Sequence, residues 1–306
     1  MPLNVPESAG QRQWSGYVEP EPGVQLPCTV IRGRSPGKKL IISAGVHGAE
    51  YSSIEAARRL CAMSPDEIVG EITILPIINI EAFFKHLAFF HPADNKNINR
   101  VFPGNPEGTP AERRAAWLTN AIKGHDAYID LHCGDMTETL IPFAVLSKDD
   151  EKSLELAVAS GLPYAVKSAS QGNSYAAAVR VGVPGLILES GNNGLWTEDS
   201  VGLLETGVRR IMAHLGMLSN SAKAAPPPAQ KTVVCTMAGS PAPAAGYWHP
   251  AVKLGQKVKP GDLLGTLYDL GGKWERKIEI EREGMILYHS TSLAISQGEA
   301  LVGIAV

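Results

Sequence analysis

The sequence contains little cysteine, no excess of positive charge and no long hydrophobic run. Its 4 cysteines among 306 residues are widely scattered, which argues against a disulfide scaffold and favours a reduced cytoplasmic setting. The formal net charge of −3 provides no basic surface, so nucleic acid is not an expected partner. No apolar run approaches the roughly 20 residues that a membrane helix needs. The opening letters, MPLNVPESAG, lack the charged-then-apolar profile of a secretory signal. We therefore expect a cytoplasmic protein that contacts neither membrane nor nucleic acid.

Short apolar runs alternate with helical patterns in the part of the chain before residue 220. Hydrophobic residues make up 44% of the sequence and charged residues 19%, as in ordinary globular domains. The alternation predicts an α/β fold with a mixed, largely parallel sheet flanked by helices. The predicted strands lie at 39–44, 71–75, 127–131 and 184–188. The helix predicted to follow the first strand lies at 50–63.

Two further helices have clear start signals. Thr109 precedes a proline and has a glutamate three residues on, which is the pattern of a capping box, and the helix is predicted to end near Gly124. Thr197 is predicted to cap a long helix. The apolar residues predicted to share one face of that helix are Val201, Leu204, Val208, Ile211, Leu215 and Leu218.

Residues 223–230 read KAAPPPAQ and mark the predicted domain boundary. Three consecutive prolines cannot continue a helix and favour an extended spacer. The predicted domains are a catalytic α/β domain at 1–222 and a small all-β sandwich at 231–306. The turn spacing of the second part resembles biotinyl and lipoyl carrier domains, but it lacks their lysine hairpin, so no lysine modification is expected.

The best candidates for metal ligands lie at the ends of two predicted strands. His47 and Glu50 are three residues apart, so they can share one helical face. His132 ends another predicted strand, and sites in open α/β sheets form beyond the carboxyl ends of strands. Two histidines, one carboxylate and an open fourth position are the pattern of a catalytic zinc site. The alternatives are a surface ion pair for His47 and Glu50 and an ordinary buried histidine for His132.

Two other features carry potential chemistry. Glu189 directly follows a predicted strand, where a buried carboxylate without a partner would be costly. It could face a metal-bound water, or form a structural salt bridge. The segment 97–104 reads NINRVFPG, in which Arg100 can bind a carboxylate with two parallel hydrogen bonds and Asn99 can add another. The alternative for this segment is an ordinary polar loop.

Four motifs occur in an order that resembles the succinylglutamate desuccinylase/aspartoacylase family, which is related in fold to carboxypeptidase A-type zinc peptidases. They are GVHGAE at 45–50, NINRVFPG at 97–104, DLH at 130–132 and LESG at 188–191. The resemblance implies one zinc ion per chain, held by His47, Glu50 and His132. It also implies that Glu189 acts as general base.

The same resemblance assigns three further residues and leaves one question open. Asn99 and Arg100 match the pair that binds the substrate carboxylate, and Asp130 is placed to orient a ligand histidine. The family usually has another arginine before the Asn-Arg pair. By count from Asn79, His86 stands nearest that position, with Lys85 or the β-domain as alternatives. The substrate can therefore differ from N-acetylaspartate or N-succinylglutamate.

The resemblance implies a hydrolase that removes an acyl group from a small N-acyl amino acid. The alternatives are a zinc carboxypeptidase that acts on a peptide and a metal-binding protein without turnover. A pocket capped by the β-domain favours the small substrate, whereas a long open pocket favours the peptide. The acyl group, the amino acid and the choice of zinc over cobalt or manganese stay open, and a homo-oligomer is allowed.

Overall fold

We describe the protein from a computed structural model that covers residues 11–222, 225–226 and 228–306. Residues 1–10, in which we expect no secretory signal, lie outside the described residues. Residues 223, 224 and 227 of the predicted linker also lie outside them. Within the described ranges, no helix is both long and apolar enough to cross a membrane.

Before the linker, helices and strands alternate as the sequence predicts. In chain order these elements are β1 (Gln13–Glu21), β2 (Val24–Arg32), β3 (Lys39–Ala44), α1 (Tyr51–Leu60), β4 (Glu71–Leu75), α2 (Ile80–Lys85), α3 (Pro110–Ile122), β5 (Ala127–His132), β6 (Glu138–Leu140), β7 (Phe143–Ser147), α4 (Glu151–Ser160), β8 (Tyr164–Ser168), α5 (Ser174–Arg180), β9 (Gly185–Glu189) and α6 (Glu198–His214). After the linker come β10 (Val233–Cys235), β11 (Met237–Pro241), β12 (Gly246–Pro250), β13 (Lys257–Val258), β14 (Leu263–Tyr268), β15 (Glu275–Glu279), β16 (Gly284–Ser290), β17 (Ala294–Ile295) and β18 (Ala300–Ala305).

Nine of the described strands form one mixed sheet in the order β1-β2-β4-β3-β5-β9-β7-β8-β10. The strands β4, β3, β5 and β9 run parallel at its centre, and β1 and β2 add an antiparallel edge. This arrangement confirms the predicted fold class. The four predicted strands are all present, with β3 and β4 at the predicted bounds.

Both faces of the central strands are buried. In β3, Leu40 and Ile42 pack into a core with α1, α4 and α6, whereas Ile41 packs into a second core with α3 and α5. Alternate side chains of a strand point to opposite faces, so a strand buried on both sides reads as a continuous apolar run. The helices therefore cover both faces and leave the carboxyl edge of the parallel strands to form a site.

The two predicted helix caps are confirmed, but two predicted helix ends are wrong. Helix α1 ends at Leu60 rather than at residue 63. At the start of α3 the carboxylate of Glu112 accepts the backbone N–H of Thr109 at 2.8 Å, and at the start of α6 the hydroxyl of Thr197 accepts the backbone N–H of Ser200. Helix α6 ends at His214, so Leu218 does not continue its apolar face. The chain turns at Gly216, which has a φ of 71° that suits glycine, and Leu218 then packs against the same core from outside the helix.

The remaining described strands form two antiparallel sheets around a core that contains the buried Trp248. Two strands cross the predicted boundary. β10, after the linker, pairs with β8 of the large sheet, whereas β6, before the linker, pairs with β16 of the C-terminal part. Each part therefore contributes a strand to a sheet of the other. The boundary at 223–230 stays a prediction.

One buried arginine of α3 contacts β1, α2 and the chain just before α2. The fully buried Arg114 of α3 contacts Glu21 of β1 at 3.0 Å and Glu81 of α2 at 2.9 Å, and donates to the carbonyl oxygen of Ile78. The neighbouring Arg113 contacts the same Glu21 but has 38% of its side chain exposed. Removing one partner of a buried ion pair leaves the other charge buried and unpaired, whereas an exposed pair contributes little.

We expect Arg114→Met to lower the free energy of unfolding by about 3–5 kcal/mol, because Glu21 and Glu81 lose a buried partner. Arg113→Met is the matched control, and its effect should stay below about 1 kcal/mol. Urea unfolding followed by circular dichroism measures both. Equal effects of the two substitutions would contradict this account of Arg114.

Candidate active site

The candidate residues converge at the carboxyl ends of three neighbouring parallel strands. β3, β5 and β9 lie side by side, and His132 at the end of β5 is directly opposite Glu189 at the end of β9. His47 lies in the short connection from β3 to α1, and Glu50 is the residue that precedes α1. The strand register therefore fixes which side chains meet.

The connection from β3 to α1 is tight, and glycine makes it so. Gly45 has a φ of 62°, in the left-handed region that favours glycine. A β-carbon at Gly48 would lie 2.3 Å from the backbone nitrogen of Phe83 in α2, so no other residue fits there without a shift. This packing places His47 and Glu50 over the end of β5.

His47, Glu50 and His132 form a buried cluster. Their exposed fractions are 5%, 2% and 1%, and candidate ligand atoms of all three lie within 4.8 Å of one another. The carboxylate of Glu50 lies between the two rings. One oxygen is 2.6 Å from Nδ1 of His47 and the other is 3.0 Å from Nδ1 of His132.

The ring of His47 is oriented by Asn97. The side-chain oxygen of Asn97 accepts the backbone N–H of Asn99 at 2.8 Å and lies 3.1 Å from Nε2 of His47. Because that oxygen is an acceptor, Nε2 of His47 must carry the proton in this contact. Nδ1 of His47 then faces Glu50, and it would offer its lone pair to a cation bound between the two side chains.

Asp130 orients the ring of His132 in the same way. One of its carboxylate oxygens accepts from Nε2 of His132 at 3.0 Å and from the hydroxyl of Ser174 at 2.5 Å. The other oxygen accepts from the hydroxyl of Ser43 at 2.7 Å. A carboxylate held by two hydroxyls keeps Nε2 of His132 as a donor, so Nδ1 faces Glu50 and would offer its lone pair to a cation bound there.

The side chains of the cluster suit a divalent metal ion. Two imidazole nitrogens and a carboxylate face one point, and the outer ring nitrogens already have acceptors behind them. Burial alone raises the pKa of Glu50, but the charges and hydrogen bonds of His132 and His47 outweigh this and lower it to about 2. Glu50 is therefore ionised at neutral pH. Two neutral imidazoles and one carboxylate suit a divalent ion such as zinc.

Glu189 lines the cavity beside the cluster. Burial is the largest influence on its carboxyl group and raises its pKa; the charges of Glu50 and Glu138 raise it further, against the charge of His132, to about 8. A cation bound in the cluster would favour the ionised form of Glu189. Glu189 is therefore a carboxylate whose protonation responds to charge at the neighbouring site.

Asn99 and Arg100 lie in the wall of the same cavity. The side-chain oxygen of Asn99 accepts the backbone N–H of Ser174 at 2.9 Å, so its amide nitrogen is the atom left to donate. Arg100 is exposed, and within the part of the chain that the structure describes it has no ion pair. It is free to bind an anionic group of a ligand.

The structure does not bring His86 to this cavity. His86 ends α2 with a φ of 54°, and its Nδ1 lies 3.0 Å from the hydroxyl oxygen of Tyr51. Its side chain lines a different, apolar groove together with Phe84 and Trp196. Among the described residues that line the cavity, Arg100 is the one arginine or lysine. The described lining of the cavity therefore provides one guanidinium and no second arginine or lysine.

The sequence patterns missed several residues of the site. Asn97 belongs to the quoted NINR motif, so its position offered a signal, but its role as the acceptor behind His47 depends on the fold. Ser43 and Ser174 had no signal, because a serine near a strand or helix end is common. Glu138 and Tyr288 also line the cavity, and neither belongs to a motif singled out in the sequence.

The cavity has a volume of about 410 Å³ and is closed on one side by the C-terminal part of the chain. Tyr288 of β16 and Ala300 of β18 lie in its wall, and the hydroxyl of Tyr288 donates to the carbonyl oxygen of Ala300 at 3.0 Å. The pairing of β6 with β16 holds this wall over the cluster.

A buried His-Glu-His cluster that could hold a metal ion lies beside a carboxylate at the carboxyl edge of a mixed α/β sheet. Residues 36–215 match the sequence model of the "Succinylglutamate desuccinylase/Aspartoacylase catalytic domain". The chain therefore belongs to the succinylglutamate desuccinylase/aspartoacylase family.

Relatives and solved structures agree with this family. The chain is 26% identical to the N-alpha-acetyl-L-2,4-diaminobutyric acid deacetylase of Halomonas elongata, over 99% of this chain and 90% of that protein. Its fold is similar to that of a succinylglutamate desuccinylase/aspartoacylase from Rhodobacter sphaeroides, with a TM-score of 0.85, 23% identity, and 96% and 95% of the two chains covered. It is also similar to the product-bound ectoine utilization protein EutE (DoeB) from Ruegeria pomeroyi, with a TM-score of 0.86, 24% identity, and 99% and 98% covered.

We expect His47→Ala to abolish stoichiometric binding of a divalent metal, because the cluster loses one of its two nitrogen ligands. The protein is loaded with zinc, desalted and assayed by elemental mass spectrometry. His214→Ala, which removes an exposed histidine at the end of α6, is the matched control and should keep the metal content of the unsubstituted protein. Unchanged metal content in His47→Ala would remove His47 from the ligand set.

Proposed function

We propose that the protein is a zinc-dependent deacylase that hydrolyses the amide bond of a small N-acyl amino acid. The observation that carries this proposal is the convergence of His47, Glu50 and His132 in one cavity with Glu189 and Arg100. Membership of the family supports it, and so does the name of the Halomonas elongata relative, a deacetylase of an N-acetylated amino acid.

In this proposal His47, Glu50 and His132 hold one zinc ion. Two imidazole nitrogens and one carboxylate, with a position left open, are a common ligand set of catalytic zinc. When bound, such an ion polarises a carbonyl oxygen and lowers the pKa of water toward roughly 7. Asn97 and Asp130 keep the two rings in the tautomer that ligation requires.

Glu189 is the proposed general base. It accepts a proton from the water that attacks the acyl carbon, and it later gives that proton to the nitrogen of the breaking amide bond. The products are a carboxylic acid and a free amine. The position of Glu189 directly opposite His132 in the sheet supports this role, because it keeps the carboxylate next to the cluster without making it part of the cluster.

Arg100 and Asn99 are the proposed binding site for the α-carboxylate of the amino acid. A guanidinium binds a carboxylate with two parallel hydrogen bonds, and the amide nitrogen of Asn99 can add a third. Anchoring this end of the substrate fixes the scissile amide relative to Glu189 and the cluster, which lowers the entropic part of the barrier. The lack of an ion-pair partner for Arg100 among the described residues supports this use.

A carboxypeptidase that acts on a long peptide is the second candidate from the sequence. The wall contributed by Tyr288 and Ala300 favours the small substrate, because the C-terminal part of the chain then covers part of the cavity. A volume of about 410 Å³ is in the range of small-molecule pockets.

The proposal is tested by screening N-acyl amino acids against the zinc-loaded protein and following release of the free amine. In the Glu189→Gln variant we expect turnover to fall by about 10²- to 10⁴-fold, the usual contribution of a general base, while metal content is unchanged. Glu283→Gln, an exposed site in the C-terminal part, is the control and should keep full turnover. An empty metal site in Glu189→Gln, or full turnover, would contradict the role of Glu189.

A second test concerns the α-carboxylate. Arg100→Ala should lower kcat/KM by about tenfold to a hundredfold for an N-acyl amino acid, the range of one hydrogen bond to a charged group. It should have little effect on the matching N-acyl amine that lacks the carboxylate. Arg282→Ala, at an exposed position of the C-terminal part, serves as control. An equal loss for both substrates would assign Arg100 another role.

A further inference from the structure

The cavity contains one carboxylate that the proposed reaction does not use, that of Glu138. Glu138 begins β6, and its backbone is fixed on several sides. Its N–H donates to the carbonyl oxygen of Asp135 at 2.9 Å, its carbonyl oxygen accepts from Asn193 at 2.7 Å, and it is paired with Ser290 of β16. The side chain is therefore held at the junction of the cluster and the C-terminal wall.

The side chain of Glu138 has few partners. Within the described ranges its one recorded hydrogen bond is from the backbone N–H of Asp135, at a long 3.4 Å, and no lysine, arginine or histidine pairs with it. The neighbouring Asp135 differs, because backbone N–H groups of Phe89 and Met136 satisfy its two oxygens at 3.0 and 2.7 Å. Asp135 is thus structural, whereas Glu138 faces the cavity with capacity to accept.

The charges that line the cavity favour a cationic group on the ligand. The lining carboxylates are those of Glu50, Glu138 and Glu189, and they face the single guanidinium of Arg100. A divalent ion in the cluster would pair with Glu50, and a substrate α-carboxylate would pair with Arg100. Glu138 is then a lining carboxylate with neither a cationic partner nor a role in the proposed reaction. An ammonium group on the substrate supplies that partner, whereas a second carboxylate would bring a like charge to Glu138.

Burial of the Glu138 carboxyl group also favours a cationic group on the ligand. It raises the pKa of the Glu138 carboxyl group, with further contributions from the charges of Glu50 and Asp135, to about 7. A partly desolvated carboxylate is costly when ionised alone, and a bound cation removes much of that cost. The free energy gained by pairing is therefore available to a substrate that carries positive charge.

Glu138 and Arg100 lie in the wall of one cavity of small-molecule size. Burial raises the pKa of the Tyr288 hydroxyl, the charge of Glu138 raises it further, and the charge of Arg100 lowers it, so both charges act on one group in the wall. All three side chains line the same cavity of about 410 Å³. An amino acid with its α-carboxylate on Arg100 can therefore present its side chain to Glu138.

We propose that Glu138 determines side-chain specificity by binding an ammonium group on the side chain of the N-acyl amino acid and disfavouring an acidic side chain. This inference rests on the proposed function, since it takes Arg100 as the site of the α-carboxylate. The expected substrate is thus an Nα-acyl diamino acid rather than an acyl derivative of aspartate or glutamate. The absence of a second arginine or lysine from the described cavity lining agrees with this choice.

The test uses three ligands that differ mainly in side-chain charge. Nα-acetyl-2,4-diaminobutyrate ends in an ammonium group, Nα-acetylnorvaline ends in a methyl group of the same size, and N-acetylaspartate ends in a carboxylate. Their binding to the zinc-loaded Glu189→Gln protein is measured by calorimetry, so that binding is read without turnover. We expect the ammonium ligand to bind about tenfold to a hundredfold more tightly than the methyl ligand, and the acidic ligand to bind most weakly.

Adding Glu138→Gln to the Glu189→Gln protein isolates the proposed contact. The preference for ammonium over methyl should fall to a few-fold or less, while the methyl ligand binds as before, which also shows that the variant is folded. Adding Glu107→Gln instead removes one negative charge at an exposed position outside the cavity, and the preference should persist. Persistence of the preference in Glu138→Gln would overturn the proposal, as would equal weakening of all three ligands.

Hydrolysis by the unsubstituted protein separates this inference from the proposed function. A Glu138-dependent binding preference without hydrolysis of any of the three ligands would leave the specificity assignment standing and refute the deacylase. Hydrolysis of all three at similar rates, with no preference in binding, would retain the deacylase and refute the role of Glu138. Failure of all three ligands to bind would overturn both.

Discussion

The contact of Glu50 with two histidine rings is the constraint on which the rest of the cavity depends. A buried carboxylate is costly without partners. The partner His47 lies in the connection that leads into α1, and the partner His132 lies at the end of β5. The parallel register of β3, β5 and β9 brings these segments together and sets Glu189 opposite His132. The chemistry of the site is therefore positioned by the most deeply buried strands of the protein.

A second layer of contacts prepares the rings before any ligand arrives. Asn97 and Asp130 both act as acceptors for the outer ring nitrogens, so Nδ1 of each ring faces Glu50 and the centre of the cluster. Asn97 is itself fixed by a backbone N–H, and Asp130 by two hydroxyl groups. Such support holds a site within a narrow geometry, because the rotamers of its members are locked by their own neighbours.

Much of this arrangement could be predicted from the sequence, because its signals are local. Buried parallel strands read as short apolar runs, so the strands that end near His132 and Glu189 were predicted close to their observed bounds. The position of His86 could not be predicted by counting, because α2 ends there and turns the side chain into another groove. The role of Asn97, the β1–β2 hairpin and the exchange of β6 and β10 depend on long-range contacts that leave no periodic pattern.

The pairing of β6 with β16 has a consequence for how such a protein can change over evolution. The wall that faces the substrate is formed partly by Tyr288 and Ala300, on strands that carry none of the His-Glu-His cluster. Substitutions in these strands can reshape the pocket while β3, β5 and β9 keep their register. The fold thereby separates the part that sustains reactivity from a part that is free to diversify.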